Sequence, residues 1–230
     1  MGTIELSDKT QKILKRIRKK YKVGFAPLKV RDLDLQFLQV NDLEHLLQGK
    51  DPFANVQEFP FWIKLWEASM VLAHVVASMP AKNNETLLEL GAGMAAPGLV
   101  AAASGYDVTL SDYEPHILDF ERVSAAVNGF DAVQFRMLDW LSPPDIEPFD
   151  RIIGAEILFR EEFFQPLLDV FKKYLKDDGE IYMAHDMRRQ SVPKFLNLAQ
   201  HDFKINVQKQ ILTNDEGEKI TVLINRLVKK

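Results

Sequence analysis

Apolar positions along this 230-residue chain change their period several times. Between residues 9 and 22, Ile13, Leu14, Ile17 and Tyr21 recur at helical spacing among Lys9, Lys12, Lys15, Arg16, Arg18, Lys19, Lys20 and Lys22, with no acid in the stretch. That predicts an amphipathic helix, whose basic side is either a solvated face or a surface for an acidic partner. From Val30 to Leu47 the chain first alternates as a strand does, then sets Asn41-Asp42 as a cap before a short helix. Gly49, Asp51 and Pro52 break the pattern. After Phe59, the residues Trp62, Leu65, Trp66, Met70, Ala73 and Val76 fall on or near one helical face, predicting a long helix that ends at Pro80.

Beyond Pro80 the period switches back and forth between 2 and 3.6. Strands are expected near 86–90, 107–111, 132–137, 151–155 and 180–185, and helices near 95–104, 115–128 and 161–175. Strands alternating with helices predict an α/β fold with a parallel sheet and crossover helices. The last segment differs: KINVQKQIL and KITVLINRLV alternate on either side of Asn214-Asp215-Glu216-Gly217, which signals a hairpin. The reading divides the chain into an N-terminal extension, 1–58, placed to cap a substrate, and a main domain, 59–230.

Composition narrows the function classes. The chain is 47% hydrophobic and 27% charged, enough to bury one substantial core. A net charge of -4 and a pI near 5.8 argue against nucleic acid as the partner of the whole molecule. With no cysteine there is no disulfide framework, thiolate nucleophile or Cys-ligated metal, which fits a reducing cytoplasm. No apolar run is long enough for a membrane span. The five histidines, His45, His74, His116, His185 and His201, lack metal-ligand spacing, so no metal site is expected. His185, beside Asp186 at the end of an expected strand, is either a catalytic base or a structural histidine.

The chemistry concentrates after the first sheet strand. Thr86-Leu87-Leu88 enters Glu89-Leu90-Gly91-Ala92-Gly93-Met94-Ala95-Ala96-Pro97-Gly98, and a helix of small residues follows. Small residues let a ligand approach the backbone, and the helix N-terminus offers unpaired N–H groups. Gly91, Gly93 and Ala96 also satisfy the dinucleotide pattern, so the turn alone does not choose its cofactor. Its neighbours favour S-adenosylmethionine over NAD. Glu89 sets a carboxylate where the methionine ammonium would lie and where a pyrophosphate would be repelled. Asp112, with Tyr113 beside it, ends the second strand and suits a ribose diol. Asp139 and Trp140 end the third strand, the acid to accept from an exocyclic amine and the indole to pack on adenine. Only about 90 residues follow Asp139, too few for the substrate domain of a dehydrogenase.

From about Phe59 to Lys230 the chain resembles the family 16, or methyltransferase-like, group of seven-strand protein lysine methyltransferases. The resemblance rests on Leu65-Trp66-Glu67-Ala68, on LLELGAG with Ala96-Pro97-Gly98, on VTLSD, on Ile153-Gly154-Ala155-Glu156-Ile157-Leu158-Phe159, and on the stretch Ala184 to Arg188. It implies a Rossmann-like class I methyltransferase fold, with a seven-stranded, mostly parallel sheet, a C-terminal antiparallel hairpin and helices on both faces. It also implies that Trp66, Glu89, Gly91, Gly93, Asp112 and Asp139 hold S-adenosylmethionine. The family's acid-x-x-aromatic motif at the acceptor, usually Asp-x-x-Tyr, reads Glu156-Ile157-Leu158-Phe159 here, which makes Glu156 and Phe159 the catalytic candidates. The longer acid and the missing phenol hydroxyl put the acceptor in question.

Methyl transfer from a sulfonium needs alignment and exclusion of water, with no nucleophilic side chain. Glu156 would hold a lysine ammonium or help it lose its proton, and Phe159 would pack on the lysine stem or face the cation. Ser142-Pro143-Pro144-Asp145 looks like the box of adenine-directed methyltransferases, yet it precedes the fourth strand and is read as a proline-stiffened loop. The expectation is a protein lysine N-methyltransferase that releases S-adenosylhomocysteine. Two alternatives stand beside it: a small-molecule N-methyltransferase with a nicotinamide-type acceptor, and a noncatalytic binding module on the same fold.

Overall fold

The computed structural model describes residues 6–42, 61–213, 217 and 219–230, with Phe61 described by its backbone alone. The short helix expected after Asn41-Asp42, the 58/59 boundary and three of the four hairpin turn residues lie outside these. The elements run α1 (Asp8–Arg18), β1 (Val23–Val30), β2 (Leu33–Val40), α2 (Glu67–Ala77), β3 (Thr86–Leu90), α3 (Ala96–Ala103), β4 (Asp107–Asp112), α4 (Pro115–Val127) and β5 (Gln134–Met137). They continue with β6 (Phe149–Ala155), α5 (Phe164–Tyr174), β7 (Leu175–Asp186), α6 (Ser191–Ala199), β8 (Phe203–Thr213) and β9 (Lys219–Lys229).

Seven strands form one sheet in the order β5-β4-β3-β6-β7-β9-β8, with β9 antiparallel to both β7 and β8 and the other neighbours parallel. The chain builds outward from β3 through β4 to β5, then returns to place β6 on the other side of β3. That reversal opens a crevice at the carboxyl ends of β3 and β6, where ligands bind in open α/β sheets. Side chains alternate between two cores. Leu87, Val108, Leu110, Ile153, Tyr182 and Ile224 face α2 and α3, while Leu88, Ile152, Ile181, Met183 and Leu227 face α5 and α6. The stretch from Leu138 to Glu147 crosses from β5 to β6 without a helix and contains the expected Pro143-Pro144 loop.

Three elements depart from expectation. The long helix through Trp62 is two pieces: Phe61–Ile63 make a single 3-10 turn, and α2 begins at Glu67 with Trp66 as its cap. The apolar face of α2 is Ala68, Val71, Leu72, Ala73 and Val76, and the two tryptophans are outside it. The helix α6 was not expected, because Pro193 near its start reads as a break yet sits within the first turn, where its missing N–H is harmless. Nor was β1, which carries Pro27 and Gly24, both poor strand residues.

The hairpin of β1 and β2 explains its own proline. Pro27 lies opposite Gln36, and both backbone groups of Gln36 turn away from β1 to the Asn128 side chain: Gln36 N–H donates to Asn128 Oδ1 at 2.9 Å, and Asn128 Nδ2 donates to the Gln36 carbonyl at 2.6 Å. Pro27 therefore occupies a position where no ladder donor is needed. Two residues on, Leu38 N–H donates to Ser124 Oγ at 2.9 Å, and that hydroxyl donates to the Phe120 carbonyl. Ser124 and Asn128, one turn apart on α4, thus cover the open edge of β2 as a neighbouring strand would. Leu28, Val30, Leu35 and Phe37 add to the α2–α3 core, and Leu38 and Val40 pack with Leu14 and Ile17 of α1 and with Phe120 and Val123 of α4. Ser124→Ala should leave the buried Leu38 N–H without an acceptor and lower stability by about 1–3 kcal/mol, read as a shift in the urea midpoint at unchanged slope.

Candidate active site

The turn after β3 is built around left-handed backbone. Gly91, Gly93 and Ala95 take φ of 61°, 54° and 56°, and at the two glycines a Cβ would be strained. Beside Gly93 the Trp62 backbone lies 3.6 Å from where a Cβ would stand. Three hydrogen bonds tie the turn to the end of β4: Ala92 N–H to the Ser111 carbonyl at 3.0 Å, Ser111 Oγ to the Glu89 carbonyl at 2.6 Å, and Gly93 N–H to Asp112 Oδ2 at 3.1 Å.

Glu89 is buried at 2% exposure, and its Oε2 accepts the Gly98 N–H at 2.9 Å. The N-cap of α3, Ala95, has no side-chain oxygen, so a carboxylate from β3 caps the helix from outside. The contact needs glycine at 98, since a Cβ there would stand 2.2 Å from Leu110 Cδ2 and 2.4 Å from Glu89 Oε2. Burial pushes the Glu89 carboxyl up to about 8; the Gly98 N–H opposes the rise and the nearby Asp112 charge adds to it.

Asp112 accepts from Gly93 N–H and, through Oδ1, from Tyr113 N–H at 2.7 Å. Burial raises its carboxyl above the usual range against those backbone donors. Tyr113 itself is exposed. A third acid, Glu121 on α4, is 1% exposed with neither carboxylate oxygen hydrogen-bonded. Burial holds its carboxyl well above the ordinary value, and the charges of Asp112 and Glu89 add to the effect.

Past β5, Asp139 Oδ1 accepts from Leu141 N–H at 2.9 Å, and the Trp140 ring meets Phe163 edge-on at 6.0 Å. Leu138 N–H reaches back to the Asp112 carbonyl at 2.9 Å, which fixes this loop to the end of β4. Trp66 is half-buried at the start of α2, with Lys64 Nζ 4.6 Å from its ring centroid.

At the end of β6 the backbone turns left-handed at Glu156, φ 57°, a conformation that L residues adopt only at a cost. Its N–H donates to the Ala184 carbonyl at 2.9 Å. Its carboxylate spans to the neighbouring strand: Oε1 accepts Asp186 N–H at 2.7 Å, and Oε2 pairs with Arg189 Nε. Asp186 is in turn chelated by Arg188. Phe159 is 49% exposed, 6.3 Å from Phe163, with the Arg160 guanidinium 5.9 Å from its ring.

Glu89, Gly91, Gly93, Asp112, Tyr113, Asp139, Trp140, Glu156 and Phe159 therefore gather at the carboxyl ends of four adjacent parallel strands, and Trp66 stands four residues after the tryptophan that covers Gly93. His185 is excluded as a base. It is fully buried on the α5–α6 side of β7 with neither ring nitrogen hydrogen-bonded, and burial lowers its imidazole to about 3. Four residues have roles that their sequence patterns did not give. Trp62 lies edge-on to Tyr21, His116 and Phe120 under the glycine turn, Gly98 makes room for Glu89, Glu121 is an acid inside an otherwise apolar helix face, and Arg189 was visible only as half of an arginine pair.

Comparison with known proteins places this geometry in a family. Residues 61–202 match the lysine methyltransferase family model. A protein N-lysine methyltransferase of Xenopus tropicalis is 31% identical over 147 residues, which are 61% of this chain and 68% of that protein. A histone-arginine methyltransferase of Mus musculus is 36% identical over 127 residues, half of this chain and 48% of that protein, so the chain spans about half the length of this second relative. Among solved structures, a methyltransferase from Agrobacterium tumefaciens shares the fold with a TM-score of 0.63 at 14% identity, over 94% of this chain and 80% of that one. The seven-strand sheet, the glycine turn and the match over residues 61–202 establish that the chain belongs to the lysine methyltransferase family and is a methyltransferase whose donor is S-adenosylmethionine.

Proposed function

We propose that the protein moves the methyl group of S-adenosylmethionine to the side-chain amine of a lysine in another protein, releasing S-adenosylhomocysteine, in a reducing compartment such as the cytoplasm. The observation that carries the donor half is the group of carboxyls under the glycine turn, Glu89 and Glu121 buried and Asp112 half-buried, each raised by desolvation. Carboxyls held partly neutral by burial ionise more readily beside a cationic ligand, whereas a pyrophosphate would push them further toward the neutral form. In this reading the three left-handed residues bring the backbone close to the methionine moiety. Asp112 keeps lone pairs for ribose hydroxyls beyond the two it spends on Gly93 and Tyr113. Asp139, Trp140 and Tyr113 would border the purine, and Trp66 the methionine end. The donor supplies a methyl already activated on positive sulfur, and the protein's part is alignment and exclusion of water.

The acceptor half rests on Glu156 and Phe159. An entering ammonium would replace the Arg189 guanidinium on Oε2, and the exposed Phe159 would lie along the aliphatic stem. One observation favours a second acceptor: Arg189 already sets a guanidinium on Glu156, the geometry a substrate arginine would copy, and the mouse relative is a histone-arginine enzyme by name.

Incubation with methyl-depleted lysate and radiolabelled donor should label a protein band, and amino-acid analysis of that band should return methyl-lysine; methyl-arginine would select the second acceptor, and label confined to the small-molecule filtrate would reject both. Asp112→Ala should abolish the label. With the labelled protein as substrate, Glu156→Gln should lower kcat/KM by about tenfold or more, and Arg189→Gln, by vacating the carboxylate, should lower KM.

Donor affinity should also depend on pH. A cation bound near Glu89 favours its ionised form, so the complex holds fewer protons than the free protein, and affinity must rise as pH rises toward 8. Calorimetry should give about tenfold tighter binding at pH 8 than at pH 6.5, with proton release, and Glu89→Gln should flatten the dependence. A wild-type affinity unchanged over that interval would remove Glu89 from the site.

A further inference from the structure

Methyl transfer leaves one charged surface unused, the outer side of α1. Lys12, Lys15 and Lys19 stand at i, i+3 and i+7 and so share a ridge, flanked by Lys9 and Arg16, while Leu14 and Ile17 are buried on the opposite side. The helix is firmly seated without them. Ser7 caps it, Arg16 pairs with Asp119 of α4, and Tyr21 meets Trp62 and Phe120 edge-on at 5.8 and 5.5 Å.

Among the described residues no carboxylate pairs with Lys9, Lys12, Lys15, Arg18, Lys19 or Lys20. Elsewhere Arg151, Arg188, Arg189, Lys176, Lys194 and Arg226 each hold an acid, and Lys204, Lys209 and Lys219, unpaired among the described residues, are spread along the C-terminal hairpin and not gathered on one helical ridge. Basic residues in a last turn complement the helix dipole, which accounts for Lys15 and Arg18. Lys9 and Lys12 sit in the first half, where positive charge is unfavourable, and the pairs Lys12–Arg16 and Lys15–Lys19 are like charges one turn apart, each mildly destabilising. The stability of the helix gives no reason for this arrangement.

We propose that the outer face of α1 docks an acidic segment of a partner protein. The argument is charge complementarity: successive lysines on the ridge are spaced about 5–6 Å apart, a spacing that carboxylates on an acidic stretch can match. Single-stranded nucleic acid fits worse, because the one aromatic of this stretch, Tyr21, is turned inward against Trp62 and offers no face on which a base could stack. Tyr21 and Trp62 lie on the inner side, beneath the helix, and leave the lysine ridge facing outward. The docking reading stands apart from the choice of methyl acceptor, since its readout is binding.

The test uses the full chain and fluorescein-labelled poly-L-glutamate, followed by anisotropy at 50 mM and 300 mM salt. The wild type should bind, with affinity falling as salt rises. Lys12→Glu with Lys15→Glu and Lys19→Glu should weaken binding more than tenfold, and the matching Gln triple, which adds no repulsion, should weaken it by a smaller factor at an unchanged melting temperature. A charge-matched control, Lys204→Glu with Lys209→Glu and Lys219→Glu in the C-terminal hairpin, should bind like wild type. No wild-type binding, equal loss in the control, or tighter binding of a 20-nucleotide RNA than of polyglutamate would each overturn the proposal.

Discussion

The contact between the Glu89 carboxylate and the Gly98 N–H holds the rest of the site in place. Burying a carboxylate costs several kcal/mol unless hydrogen bonds and opposite charge return it. Here the return is one backbone donor and the positive end of α3, and the raised carboxyl shows that the return is incomplete. What the arrangement secures is geometry. The turn from Gly91 to Ala95 has three residues in left-handed conformations and would have many alternatives if free. Glu89 joins the strand before the turn to the helix after it, and Ser111 and Asp112 fix its middle to the next strand. The glycine at 98 is therefore as necessary as those at 91 and 93, for a steric reason and not a conformational one.

The two halves of the crevice treat acids in opposite ways. On the β3–β4 side, Glu89, Asp112 and Glu121 accumulate without a basic partner at hydrogen-bonding distance among the described residues, and each is pushed toward its neutral form. On the β6–β7 side every acid is matched: Glu156 with Arg189, Asp186 with Arg188, and Asp186 is held below its ordinary range by Arg188. In the proposed reading a cationic donor would draw the first group toward its ionised forms, while the second group is already paired. On that reading the asymmetry would hold the donor's positive charge beside the glycine turn and away from the paired groups of the β6–β7 side.

Most of the fold was legible because period and punctuation agree from Thr86 onward: the five parallel strands and three helices expected there all form, within a few residues at their ends. Legibility failed where long-range contacts overrule local preference. β1 is a strand because the edge of its partner is satisfied by Ser124 and Asn128, about 90 residues away in sequence. The tryptophans at 62 and 66 matched a helical period by coincidence, since the backbone between them is drawn off to cover Gly93. In the site, strand ends announced Glu89, Asp112, Asp139 and Glu156. Glu121 and Arg189 could not be read, because their roles depend on what faces them across the fold.

The extension and the catalytic body share one helix, which makes their stabilities interdependent. α4 begins three residues after Asp112, carries Glu121 toward the carboxylate group, and presents Ser124 and Asn128 to the hairpin and Phe120 and Asp119 to α1. Successive turns of one helix thus adjoin the group of carboxyls under the glycine turn and the N-terminal elements together. Displacing the hairpin or α1 would expose Phe120 and Val123 and remove the contacts that Ser124, Asn128 and Asp119 make on that side of α4.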